Sequence, residues 1–210
     1  MYNNKKVSKL INYLERGADL FQDAFSISLQ KDSREVIAIM PKKTYNNVRT
    51  GTSEEYVKYS LNDVPIRFPY RIYYNEISDD GIIYQLSEQQ KMILHCIYSR
   101  SCNGFVRENH IKSLLTMPYE DWAIPFIVKV CDEYVVEILE IVYKMLTEED
   151  TERMKAFCAE NRSMFCKSYA QMTSYWNEFY RDKYYHFKDY IGRKLFKECF
   201  GYSRSMERGN

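Results

Sequence analysis

LSEQQKMILHCIYSRSCNGFVRENHIKSLLTMPYEDWAIPFIVKVCDEYVVEILEIVYKML, from Leu86 to Leu146, decides the fold class. Apolar residues recur in it at every third or fourth position, the period of an amphipathic helix. Ser87 is placed to cap a helix over QQKMILHCIYSR, whose apolar face is Met92, Ile93, Cys96 and Ile97. Asn103-Gly104 breaks the run. A second helix opens at Phe105 and uses Ile111, Leu114 and Leu115. Beyond Pro118 a third begins near Tyr119, with Pro125 in a first turn or at a kink. The chain turns or bends at Cys131-Asp132-Glu133. The next helix puts Val135, Ile138, Leu139, Val142, Met145 and Leu146 on one face, opposite Glu137, Glu140 and Lys144.

Toward the C-terminus the pattern stays helical. Thr147 can cap a helix over 148–160, with Glu148, Glu149 and Asp150 at its positive end. Another is expected from Ser163 to Arg181 or beyond. A last one runs from Tyr184 to Phe200, with Gly201 as its stop. Residues 203–210 should fray.

Toward the N-terminus the reading is mixed. Val7, Leu10, Ile11, Leu14, Ala18, Phe21 and Phe25 predict an amphipathic helix over 4–28. Glu35 to Met40 is short and β-branched, which predicts a strand. Residues 42–67 are polar and punctuated, with a short helix around Ser53 to Ser60. Phe68 to Ile77 has strand composition, and Asp80-Gly81 predicts a hairpin turn returning through Ile82 to Tyr84. An irregular Tyr-rich connector is the alternative. The expected protein is thus mostly α, helical-repeat-like or an irregular helical bundle, with a small N-terminal α+β portion. Residues 1–85 hold the N-terminal helix and short strands or connector, 86–202 the helical domain, and 203–210 the tail.

Composition limits the function classes. A chain of 210 residues can bury a core without metals or disulfides. None of its six cysteines forms a CxxC pair, so zinc ribbons and dithiol redox motifs are excluded. The opening MYNNKKVSKLINYL lacks the apolar core of a signal peptide, and no run approaches a membrane span. These features predict a reduced, cytoplasmic protein without a membrane segment. Tyr occurs 20 times, and its ring with a polar tip suits half-buried helix faces and contact surfaces. Charge is uneven: residues 84–150 carry 6 Lys/Arg against 11 Asp/Glu, and residues 151–210 carry 12 against 7. An acidic block beside a basic tail suits either internal complementarity or a polar partner surface.

Two strings resemble known families. Asn103-Gly-Phe-Val106-Arg107-Glu-Asn-His-Ile111-Lys-Ser-Leu114-Leu115 resembles the second helix of a HEAT-type repeat, and Ile124 to Ile138 resembles a whole short unit. Val106 and Val136 stand 30 positions apart, close to a short repeat period. Glu137 stands where that pattern has arginine, and no small residue follows Arg107. The resemblance implies paired helices that present a face to a protein partner. Arg181-Asp-Lys-Tyr-Tyr-His186 is similar to the short motif of HEPN-type ribonucleases. That resemblance implies phosphate stabilisation by Arg181 and acid–base work by His186.

Other constellations carry less. Glu178, Asp182 and His186 would share one face of a continuous helix, as a metal set or a solvated charged face. Cys96 or Cys102 with His95 or His110 is a nominal thiol–imidazole set without a local signature. Tyr184, Tyr185, Arg193, Lys194 and Lys197 interleave rings and cations, as single-stranded nucleic acid binding requires. Trp176, Tyr175, Tyr180 and Tyr190 extend that set. Gly-rich phosphate loops, HExxH and GxSxG are absent from the sequence. The leading expectation is a non-enzymatic helical module for a protein partner, without cofactor or metal. A nucleic-acid-binding regulator and a HEPN-like ribonuclease are the alternatives.

Overall fold

The computed structural model describes residues 21–41, 43–45 and 48–207. The fold is mostly helical, with two small antiparallel hairpins near the N-terminus. Two 3-10 turns, Gln22–Ala24 and Ile27–Leu29, lead into α1 (Gln30–Ile39). Strands β1 (Lys43–Tyr45) and β2 (Val48–Thr50) pair with each other. Strands β3 (Tyr56–Leu61) and β4 (Val64–Pro69) form the longer hairpin. Then come α2 (Asp80–Tyr84), α3 (Glu88–Tyr98), α4 (Gly104–Leu115), α5 (Ile124–Val130) and α6 (Val136–Met145). The chain ends with α7 (Glu148–Glu160), α8 (Arg162–Tyr175) and α9 (Ile191–Glu198).

Where caps were legible, the helices start as read. Ser87 and Gln90 close a capping box on α3, and Thr147 and Asp150 close one on α7. Asn103, read from sequence only as a break, also caps α4 by accepting from the Phe105 N–H. Pro125 sits in the first turn of α5, where its missing N–H costs nothing.

The N-terminal half departs from expectation. Residues 1–20 of the helix expected over 4–28 lie outside the described residues, and 21–29 form the two 3-10 turns. Glu35 to Met40 is helical and not a strand: Ser33, Val36, Ile37 and Met40 are buried at helical spacing. Ser53 to Ser60 enters β3. The hairpin turn falls at Asn62-Asp63, both at positive φ, between the paired Leu61 and Val64. Asn and Asp tolerate that region better than other side-chain-bearing residues. Asp80-Gly81 instead opens α2, because the Asp79 carboxylate accepts from the Gly81 N–H. The expected strand Phe68 to Ile77 is extended only to Pro69 as β4. Beyond it the chain is an irregular connector tied to α3 by Ile72, which pairs with Arg100 O and Cys102 N–H.

The helices and the β3–β4 hairpin share one apolar core. Every residue of α5 is buried, as its sequence IPFIVKV requires. Phe126 lies between Phe25 and Phe68, with ring centroids 5.6 and 4.3 Å away. The β3–β4 hairpin docks on α7, where Asn161 bonds both the N–H and C=O of Ser60 at 2.7 Å. Helices α3 and α4 pack together, and α6 packs between α4 and α9. Of the two strings that resemble HEAT-type units, both are helical, but α5 is seven residues long and enclosed on every face. Among the described residues, no helix is long and apolar enough to cross a membrane.

The C-terminal region also differs from the expected pair of long helices. After α8 the chain makes a π-helical turn, Trp176–Tyr180, then loops to a 3-10 turn at Phe187–Asp189 before α9. The loop holds because Trp176 Nε1 donates to Tyr184 O at 2.9 Å and Tyr190 is fully buried. Gly201, at φ 75°, turns the chain back, and Tyr202 N–H bonds Phe196 O at 2.8 Å. Residues 203–207, expected to fray, form a turn pinned by Arg162 to Ser205 O and Met206 O.

Candidate partner surface

The best-built exposed feature begins with the turn between α5 and α6. Its centre is Glu133, 1% exposed. Oε1 of Glu133 meets Arg71 Nη1 at 2.7 Å and Arg100 Nη2 at 3.0 Å, and Oε2 meets Arg107 Nε at 2.7 Å. The three guanidinium groups come from the connector after β4, the end of α3, and the first turns of α4. Beside them Lys129 pairs with Asp132 at 2.6 Å, and Ser168 of α8 donates to the same carboxylate oxygen at 2.7 Å. Burial pushes the Asp132 carboxyl up, against the pull of Lys129 and Ser168. Burial also pulls the Arg100 guanidinium down, against the opposing pull of Glu133.

Four cations therefore face two carboxylates in the interior. The Tyr70 ring offsets part of the excess: Arg71, Lys129 and Arg100 lie 4.3, 4.9 and 5.6 Å from its centroid. Tyr70 O accepts from both Arg71 and Arg100. A buried charge is held only when paired, and four chain segments supply the partners here, although Glu133 Oε2 and Arg107 Nε meet at ion-pair distance without hydrogen-bond geometry.

Fixing Glu133 fixes its neighbour. Tyr134 is 48% exposed, with its ring 6.0 Å from the Arg107 guanidinium. Facing it is the π-helical turn after α8. Its extra residue per turn changes which side chains point outward, and such turns recur at functional sites. Here it presents Phe179, 60% exposed, beside the half-buried Tyr175 that ends α8. The rings of Tyr134, Tyr175 and Phe179 form a triangle with sides of 6.0, 6.1 and 6.2 Å. The two turns are stitched together by Tyr180, whose hydroxyl donates to Tyr134 O and accepts from Val136 N–H. Two rings of the triangle, Tyr134 and Phe179, are thus exposed on turns that Tyr180 bonds together.

The residues singled out from sequence fall in several places. Arg181 is exposed and reaches Asn177 Oδ1, while His186 is exposed with its ring against Tyr185. Residues 181–186 are turns, so Glu178, Asp182 and His186 share no continuous helix face. Among the described residues, no group of three or more His, Cys, Asp or Glu is arranged to hold a metal ion. His95 and His110 pair with each other, Nδ1 to Nδ1 at 2.8 Å. Cys96 is fully buried, and burial pushes its thiol well up, away from a nucleophile. Tyr184 packs edge-on against Tyr190 and bonds Glu140. Tyr185 is 77% exposed. Lys194 is half-buried on α9, and Arg193 and Lys197 line a cleft near the C-terminus.

Sequence reasoning missed the Glu133 cluster and the aromatic triangle. Arg71, Arg100, Arg107 and Glu133 share no local spacing. The one available signal was Asp132-Glu133 between two strongly apolar helices. Comparison with known families, with curated proteins and with solved structures returns no match.

Proposed function

We propose that this protein is a non-enzymatic interaction module and that a protein partner docks on Tyr134, Tyr175 and Phe179. The carrying observation is the pair of exposed rings, Tyr134 and Phe179, on two mutually bonded turns, with the half-buried Tyr175 ring at the end of α8 completing the triangle. Clustered aromatics dominate binding energy at protein interfaces, and pre-ordered ones lose little entropy on docking. Glu137 and Glu140 on the adjoining α6 and Lys183 after the π-helical turn are exposed, a polar rim of the kind interfaces have around their apolar centres. The partner contributes apolar or proline-bearing side chains to cover the rings.

The test compares proteins captured from native lysate by the wild-type chain and by a Tyr134→Ser, Phe179→Ser double variant. Both side chains are largely exposed, so stability should change by about 0.5 kcal/mol or less per site. The expected result is one or more partners retained by the wild type and lost with the variant, at unchanged melting temperature. Identical capture by both proteins sinks the reading.

A further inference from the structure

The Arg193 and Lys197 side chains open onto a concavity of about 500 Å³, distinct from the aromatic triangle. Ligand sites commonly fall in a range of about 300–1,000 Å³. Lys188, Arg193, Lys197 and Arg204 contribute four cations to its lining. The one acid there, Glu207, already accepts from the Tyr202 hydroxyl. Among the described residues none of the four cations is in an ion pair, so the cleft keeps its positive potential.

Rings complete the lining. Phe187 is half-buried, with the Arg193 guanidinium 5.8 Å from its centroid. Edge-on to Phe187, at 6.3 Å between centroids, Tyr169 stacks on Tyr202 at 3.4 Å. The cleft is held open by elements already fixed: α8 and α9 pack together, and Arg162 pins the turn that carries Arg204.

Cations for a phosphate beside an aromatic face for a base are the two halves of nucleotide recognition. We infer that this cleft binds a nucleotide, with its phosphate among Arg193, Lys197 and Arg204 and its base against Phe187. The same chemistry is presented by a free mononucleotide and by one residue of a single strand. The inference does not rest on the protein-partner reading, since the two surfaces share no residue.

The experiment measures fluorescence anisotropy of a short labelled oligouridylate with the full chain, over a salt series. Unlabelled uridine monophosphate and heparin serve as competitors. Binding should weaken with salt, and Arg193→Glu and Arg204→Glu should each weaken it and lower the log–log salt slope by about one. Arg204 lies outside the long helices, so its variant tests the cleft even if Arg193→Glu perturbs α9. Phe187→Leu should weaken oligonucleotide binding while leaving the salt slope unchanged. Competition by the monophosphate identifies a free nucleotide as sufficient, and competition only by oligonucleotide identifies a strand. The inference is overturned if no oligonucleotide or monophosphate binds. It is equally overturned if heparin binds as well as oligonucleotide and Phe187→Leu changes nothing.

Discussion

Glu133 is the residue on which the interior charges depend. Its carboxylate, 1% exposed, meets three arginines that enter from separate parts of the chain. Removing its charge leaves Arg100 and Arg107 buried without a counter-ion, the costly way to break a buried pair. Glu133→Gln preserves shape and should cost about 3–5 kcal/mol. Arg71→Met should cost less, because the Arg71 side chain is 15% exposed and two arginines still neutralise the carboxylate. Urea unfolding of both variants measures the difference, and equal costs would remove Glu133 from this role. The sequence signals it only through an acidic pair set between two strongly apolar segments. An acidic pair between helices normally marks a solvated turn, and only the fold brings Arg71, Arg100 and Arg107 to it.

At the scale of elements, what was legible followed from local chemistry. Helices α3, α4, α6 and α7 carry their own caps or apolar faces, so they form near the expected bounds. Elements decided by tertiary contacts were not legible. Glu35 to Met40 suits a strand by composition, yet Val36 and Ile37 bury as a helical pair. Residues after Tyr175 suit a continuing helix, yet the π-helical turn and Trp176 redirect them. The α3–α4 contact carries a pH dependence. His95 of α3 and His110 of α4 share a hydrogen bond, with Tyr98 stacked on His110 and Glu76 3.3 Å from its Nε2. Burial pushes His95 down to about 4, with Glu88 opposing and Lys91 assisting, and burial with His95 nearby pushes His110 down to about 3. Both folded values lie below the unfolded value of about 6.5, so the unfolded chain takes up protons first. The stability is therefore present above about pH 6.5 and is lost as pH falls toward the folded values. Melting temperature should drop between about pH 7 and about pH 5, where most carboxylates remain ionised. His95→Gln should flatten that drop, and an unchanged slope would exclude the pair as its origin.

At the scale of the molecule, the division into an N-terminal portion and a helical domain at 86 is a division of sequence pattern. The core crosses it. Phe25 and Phe68 cover Phe126 from both sides, Arg71 and Tyr70 complete the Glu133 cluster, and Ser60 docks on Asn161. The opposite charges of the central block and the tail meet directly in Arg153–Asp121 at 2.7 Å, while the four cleft cations stay on the surface. Internal complementarity accounts for only part of the charge pattern read from sequence. Cutting the chain before Leu86 would expose the Phe126 face of α5 and leave the interior carboxylates with fewer cations. Chain fragments that lose one wall of a packed core keep secondary structure but lose fixed packing. A fragment of residues 86–207 should therefore show helical circular dichroism, bind a hydrophobic dye and melt without a cooperative transition. The full chain, with one shared core, should unfold in a single transition by both tryptophan fluorescence and circular dichroism. A fragment that melts as sharply as the full chain would establish an independent helical domain and would confine the role of residues before 86 to an appended surface.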